Sequence, residues 1–444
     1  MRKLSVLGPA AAALAATLVA ALVAALATAF ALVGPAAAAG PTSWTTANSD
    51  ATGDQDSSAI AANRRGDTAV VWEDDRDTTA PEDDAHSDVW VRTYHNGVSG
   101  YEQKLSNGGT AGTTWRHLQP DVGLDDRGNA VVVWAEDPDG NGSYNIAYRV
   151  LSPTGALLGS GRANANTDGQ QIHPRVAVDP DGAPGSTTAV AFTVVWEDVQ
   201  GTAPATVKAA GFTGTATKAY EVTVNATGGA HHDPDVATSA SGDALVVWAE
   251  DTDGNGYYQI GLVGLAKANG AVTLTRRSAN GIAAGQQQHP AVAADFNGDF
   301  AVAWESDHTG TRGVWARSFT ADGTPGSAEV EVSDGAGAGK PAIGIDDQRN
   351  AVIGWSVTGT GTGTGTGPGT GTDPAVRARG LNPDGTFTGR LPAQSVSRDT
   401  AGRQEQLAVA SSPFGALAFS YTDDADGNGF DQVLLGLGAT ASDW

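Results

Sequence analysis

Residues Pro120–Asp137 read P-D-V-G-L-D-D-R-G-N-A-V-V-V-W-A-E-D. The first five alternate like a half-buried strand, D-D-R-G-N is turn chemistry, and A-V-V-V-W is a buried β run, so the stretch is a hairpin in outline. The same pattern is written seven times. Anchored on the Pro position, the copies begin near Ser58, Pro120, Pro174, Pro234, Pro290, Pro341 and Leu407. Eight residues on stand Gly66, Gly128, Gly182, Gly242, Gly298, Arg349 and Gly415. Fourteen residues on stand Trp72, Trp134, Trp248, Trp304, Trp355 and Tyr421. In the third copy, extra residues around 183–193 push the Trp to Trp196. The mean spacing is about 58 residues, a period that belongs to stacked or circular repeats.

Each copy continues with a third strand, as at Val89–Arg92, Ile146–Arg149, Val314–Arg317 and Val376–Arg379, and then a turn and a fourth, as at Ala328–Ser333. Four antiparallel strands in each of seven units predict an all-β, seven-bladed β-propeller over residues 40–444. A linear array of β-sandwich repeats is the alternative, but the unit is short for an independent sandwich. The last copy stops after a third strand at Val433–Gly436. Ser43–Asn48 resembles the fourth strands that end at Asn225, Asn280 and Ser333, so residues 42–49 are expected to complete the last blade and leave no long open edge. Arg349 is expected to be tolerated at the turn position because Asn350 follows, and Asn accepts left-handed geometry. Thr358–Thr372 alternates Gly and Thr around Pro368 and reads as a flexible loop in the sixth blade.

Residues 1–39 lie outside this pattern. Arg2 and Lys3 precede a long Ala/Leu/Val run that exits through Gly34-Pro35 and small residues, the plan of a secretory leader. An uncleaved anchor is the alternative, since the run is long enough to span a bilayer. Removing the leader leaves 24 basic residues against 50 acidic ones, a net −26. That balance opposes nucleic acid and anionic membranes, which need a basic face, and suits cations. There is no cysteine, which excludes thiol catalysis, thiolate zinc sites and disulfide staples.

In such a fold, the loops between blades open on the same face as those joining strands two and three. One face therefore gathers Trp115, His117, Gln119, His173, His231, His232, Asp233, Gln288, His289 and Lys340 from before the anchors. It also gathers Glu73, Asp74, Asp75, Glu136, Asp137, Glu197, Asp198, Glu250, Asp251, Glu305, Asp307, Asp423 and Asp424 from after the Trp positions. Two readings stand side by side. Either this is a polar ligand face, or the recurring carboxylates lock blades by accepting backbone N–H groups of the neighbouring turn. Trp115, His117, His173, His232 and His289 are the candidate ligand-binding residues of the junctions, and polar junction contacts are the plainer role for the imidazoles.

Three loops spell D-x-D-G-N-G: Asp137, Asp139, Asn141; Asp251, Asp253, Asn255; Asp424, Asp426, Asn428. Oxygens at positions one, three and five of one loop are what calcium wants, although no bidentate Glu follows at position twelve. A tight polar turn explains the same letters. Tyr144, Tyr257 and Tyr258 flank two of these loops and could stack on a sugar ring, or merely cap strand ends. Enzyme signatures are absent: there is no G-x-S-x-G, H-E-x-x-H, P-loop or dinucleotide fingerprint. A glycosidase needs only a carboxylate pair, and here the carboxylates are too many to choose from.

The pattern P-x-V-a-x-D-x-x-G-n-x-V-V-V-W-x-E-D resembles the repeats of secreted bacterial seven-bladed propellers. Its acidic loops resemble those of FG-GAP-like propellers. A stand-alone propeller of this kind also resembles the lectin subunit of actinobacterial umbrella toxin particles. That resemblance implies a non-enzymatic, secreted, lectin-like module that binds a glycan or cell-surface polymer, sits in a larger secreted assembly and carries calcium-stabilised loops. The alternatives are an extracellular polysaccharide hydrolase or lyase that uses the junction carboxylates, and a structural envelope scaffold.

Overall fold

The computed structural model describes residues 41–76, 86–107, 115–182, 189–225, 228–335, 337–357, 376–389, 391–398, 404–425 and 427–438. The leader-like segment, the Gly/Thr tract and Asp426 lie outside them. The described chain forms seven four-stranded antiparallel sheets, and each sheet is one blade. Blade one comprises β2 (Gln55–Ala62), β3 (Asp67–Asp74), β4 (Asp88–His95) and β5 (Val98–Lys104), hydrogen-bonded in that order. Blades two to six repeat this order.

Closure follows the expectation. β1 (Pro41–Thr46) pairs with β28 (Gln432–Gly438), placing Trp44 opposite Gly436, and completes the sheet of β27 (Leu417–Asp423) and β26 (Gln404–Ser411). First and last residues of the fold thus share one sheet, and the last blade has four strands like the others.

The extra residues of the third copy leave its register intact. Val176 pairs with Val194 just as Val122 pairs with Val132, so Trp196 reaches the same place as Trp134. The insertion is absorbed in the hairpin between these strands.

The core lies between blades. One cluster joins Val131, Val133 and Tyr148 of blade two to Val194, Trp196 and Phe212 of blade three, and another joins Val433 and Leu435 of the last blade to Val70 and Trp72 of the first. The Trp-position rings Trp72, Trp196, Trp248, Trp304, Trp355 and Tyr421 are fully buried. A buried Trp removes roughly 150–250 Å² from water, about 4–6 kcal/mol of transfer free energy at about 25 cal/mol per Å².

The turn-Gly position takes left-handed backbone geometry in blade two (φ +83°) and in its counterparts, because the hairpin must reverse within a few residues. In the sixth blade Arg349 itself, not Asn350, adopts it at +68°. Asp346 permits this: its carboxylate accepts the N–H groups of Gln348 and Asn350 at 2.9 and 2.8 Å and the Asn350 side-chain amide at 3.0 Å. The turn is held by Asp346, and the strain falls on the arginine backbone.

At this turn end of the ring Arg64 lies across the axis. Its guanidinium bonds Asp347 of blade six at 3.0 Å and stacks on the Phe296 ring of blade five at 3.5 Å. The opposite end opens into a cavity of about 670 Å³.

Candidate functional site

The cavity mouth is built from one column of the repeat. The residues just before the anchors, Ser57, Gln119, His173, Asp233, His289, Lys340 and Gln406, all carry positive φ, between 47° and 57°. In each blade the pairing register of the innermost strand shifts at this point, as between His232 and Asp235. The chain inserts one extra residue there, and such a bulge turns its side chain toward the axis.

The strained peptides are tied to the preceding blade. Glu73 accepts the Gln119 N–H at 2.6 Å, Glu197 accepts the Asp233 N–H at 2.7 Å, and Glu305 accepts that of Lys340. Where the residue after Trp is Ala135, Gln119 serves instead and accepts the His173 N–H at 2.8 Å. The carboxylate two places after the Trp points the other way: Asp74 and Glu250 accept the indole N–H of Trp72 and Trp248 at 3.0 and 2.8 Å. These carboxylates stitch blades and anchor rings.

Blades three to five depart from this pattern. Glu197 holds the His173 ring at 2.8 Å through one oxygen and the His232 ring at 3.2 Å through the other. His289 stands 3.6 Å from the Asp233 carboxylate and 3.1 Å from Glu305. Burial works against a charge on Glu197, but the hydrogen bonds from His173 and His232 outweigh it and hold its pKa at about 2. The same bond, against burial, raises the pKa of His232. The Glu305 bond does likewise for His289.

Below the mouth, three charged side chains line the cavity: Asp121, Arg175 and Asp235. Burial pushes Asp235 up to about 6, against the pull of Arg175 and the Val292 N–H, and the nearby Asp121 charge adds to the rise. Burial raises Asp121 as well. Each also bonds the next blade: Asp121 accepts the Val176 N–H and Asp235 the Val292 N–H, both at 2.7 Å.

Sequence reasoning did not single out these three. The signal was available, because the residue after the anchor is alanine in the other four copies, at Ala59, Ala291, Ala342 and Ala408. A charge where the repeat writes alanine has no repeat-wide structural duty.

The expected site residues separate. His173, His232 and His289 meet at the mouth, with Tyr258 beside His232 at 5.7 Å between ring centroids. His117 is buried between blades and bonds the Ser87 carbonyl at 2.8 Å, and burial lowers its pKa. Trp115 packs on His86, Tyr144 leans on the core between blades two and three, and Tyr257 is exposed. In the D-x-D-G-N-G loops the carboxylates turn inward. Asp137 accepts the N–H groups of Asn141 and Gly142 at 3.1 and 2.7 Å, and Asp251 those of Asn255 and Gly256 at 3.1 and 2.9 Å. Asp139 and Asp253 accept the amides of Asn141 and Asn255, both at 2.9 Å. Asp424 accepts the Gly429 N–H and Asn428 the Phe430 N–H, while Asp426 is outside the described residues. In each loop the acidic side chains thus accept N–H groups of the same turn.

No family model matches the sequence, and no curated protein matches it. Among solved structures, a protein of unknown function from Dyadobacter fermentans aligns over 91% of this chain and 99% of its own, at 10% identity and a TM-score of 0.48. An α-L-arabinofuranosidase from Fusarium graminearum, bound to an iminosugar inhibitor, aligns over 73% and 93% at 11% identity and 0.47. An α-L-arabinanase from Penicillium chrysogenum, complexed with arabinobiose, aligns over 72% and 93% at 14% identity and 0.44. The likeness is one of fold.

One expectation is corrected at this point. The expected non-enzymatic, lectin-like module, and with it the lectin subunit of a toxin particle, finds no counterpart among these structures of like fold. Two of these three similar structures are glycoside-cleaving enzymes. The absence of local enzyme motifs does not exclude a glycosidase, which needs only carboxylates brought together in space.

Proposed function

We propose that this chain is an extracellular polysaccharide-acting hydrolase working at the mouth of the axial cavity. One observation carries the reading: Asp235, which lines the cavity, and Glu197, buried beneath the imidazoles at its mouth, are carboxyl groups whose environments push their pKa values apart. Asp235 sits at about 6 and Glu197 at about 2. Such a split is how two like side chains take the roles of acid and base. Asp235, protonated in mildly acidic solution, gives its proton to the leaving-group oxygen. Glu197, ionised beneath the imidazoles, stabilises by its charge the positive charge that develops on the sugar ring, and the proton of the attacking water returns to Asp235. His173 and His232 position Glu197 through both of its oxygens, and Tyr258 offers a ring face beside them. Secretion is part of the proposal and rests on the leader-like residues 1–39.

The test is release of reducing sugar from a panel of plant and bacterial cell-wall polysaccharides, with arabinan included because two structures of similar fold are an α-L-arabinofuranosidase and an α-L-arabinanase. The expected result is turnover by the native chain that falls by about a hundredfold or more in Asp235→Asn and in Glu197→Gln, within the usual range for losing an acid or base. Turnover that survives both substitutions removes the assignment.

A further inference from the structure

We propose that the arc formed by His173, Glu197, His232 and Asp233 at the cavity mouth binds one divalent transition-metal ion through nitrogen and oxygen donors. Among the described residues, His173, Glu197 and Asp233 form a group that could hold a metal ion, with one donor atom from each lying within 4.8 Å of the others. Donors around an ion at about 2 Å sit roughly 3–3.5 Å apart. The 2.8 Å between His173 Nδ1 and Glu197 Oε1 needs only a small outward shift to admit one, and the 3.2 Å between His232 Nδ1 and Glu197 Oε2 already matches that spacing.

The repeat itself argues that this arc has its own purpose. The mouth column reads Ser57, Gln119, His173, Asp233, His289, Lys340, Gln406. The other copies keep the strained bulge without imidazole or carboxylate, so the fold does not require either group there. Only the adjacent third, fourth and fifth blades supply ligating side chains, in the alternation His, Asp, His. His289, 3.6 Å from Asp233 Oδ2, closes the arc.

The donor chemistry narrows the ion. Imidazole with carboxylate and no thiolate selects zinc, cobalt or nickel over soft Cu(I), and disfavours calcium, which takes oxygen. The imidazole rings of His173 and His232 are each 38% exposed, so an ion reaches them from solvent, while Glu197 is buried beneath them. Two carboxylates balance the ion's charge. The inference does not depend on hydrolysis. Because the ion uses Glu197, it and a sugar substrate exclude each other there.

The experiment is calorimetric titration of ZnCl2 into the chelator-treated full chain, repeated with CoCl2 while the visible absorption of the cobalt is recorded. One ion per chain is expected, with affinity weakened by about tenfold or more in His173→Ala and in His232→Ala. His95→Ala, at an exposed histidine that contacts Asp67 at the other end of blade one, should bind as the native chain does. Melting curves confirm that the variants fold. No heat from zinc overturns the proposal. So does binding whose affinity is unchanged in both His173→Ala and His232→Ala, which would place the ion elsewhere.

Discussion

Trp44 stands edge-on to Tyr421, with ring centroids 5.3 Å apart and planes at 74°. The first belongs to the opening strand of the fold and the second occupies the Trp position of the last repeat. This contact lies in the sheet where the ring closes: Ala47 N–H bonds the Val433 carbonyl at 2.7 Å, and Asn48 accepts the Val433 N–H at 3.1 Å.

Closure therefore depends on a short segment. Trp44→Ala should cost about 2–3 kcal/mol, below the range for a fully buried Trp because this ring is only half-buried. A thermal melt should show Tm lowered by several degrees. Removing residues 41–48 exposes the whole edge of β28 and should lower Tm much further, with aggregation on heating. An unchanged melt for the truncated chain would show that the last blade stands without its fourth strand.

Blade stitching by carboxylates makes a second prediction. Glu305 accepts the Lys340 N–H across a blade junction. Glu305→Ala leaves that partly buried donor unpaired and should cost about 1–3 kcal/mol by denaturant unfolding. Glu305→Gln keeps an acceptor oxygen and should cost clearly less. Equal losses in the two variants would mean that charge, not the hydrogen bond, holds the junction.

Acid should act on the mouth through Glu197. Its folded pKa is about 2, below the usual 4.5. A depressed carboxylate contributes stability that is present above the unfolded value and lost as pH falls toward the folded one. Native stability should therefore decline between about pH 4.5 and 2, and the decline should be shallower in Glu197→Gln. His232 has the opposite sign: its raised pKa contributes stability below 6.5 that is lost as pH rises through the folded value. Denaturant midpoints measured across pH for the native chain, Glu197→Gln and His232→Ala check these signs.

The activity profile should carry the mark of Asp235. If it is the acid, kcat/KM on a cleaved polysaccharide falls as pH rises past about 6, the value to which burial pushes this carboxyl. A profile flat from pH 5 to 8 would exclude it from the proton transfer.

Chelation gives a sharp contrast between two regions. The D-x-D-G-N-G loops are held by their own carboxylates, as Asp137 shows with Asn141 and Gly142. In the chelator-treated chain, millimolar calcium should leave the melting temperature unchanged, whereas zinc, taken up at the mouth, should raise it. A clear rise with calcium would show that these carboxylates leave their backbone partners for an ion.

Much of the architecture was legible in the repeat. The spacing from Pro120 to Trp134 recurs because each blade needs a strand, a tight turn and a buried ring in that order. The orphan strand at Trp44 could be matched to the missing fourth strand of the last copy. Arg349 was legible only in part, because the turn's holder, Asp346, acts through backbone N–H groups that no spacing rule reveals. The site was harder to read. His117 and His173 lie only two columns apart in the repeat, yet one is buried against Ser87 and the other faces the cavity. Asp121, Arg175 and Asp235 are unremarkable singly and stand out only against the alanines of their column.

The amino-acid sequence by itself determined the number of blades, their strand order and the closing of the ring, because hydrophobic alternation and turn residues are local and repeat. Which carboxylates stay charged was decided only by the tertiary structure. Proton affinity depends on burial and on partners such as His173 and His232, which the fold brings to Glu197 from separate strands.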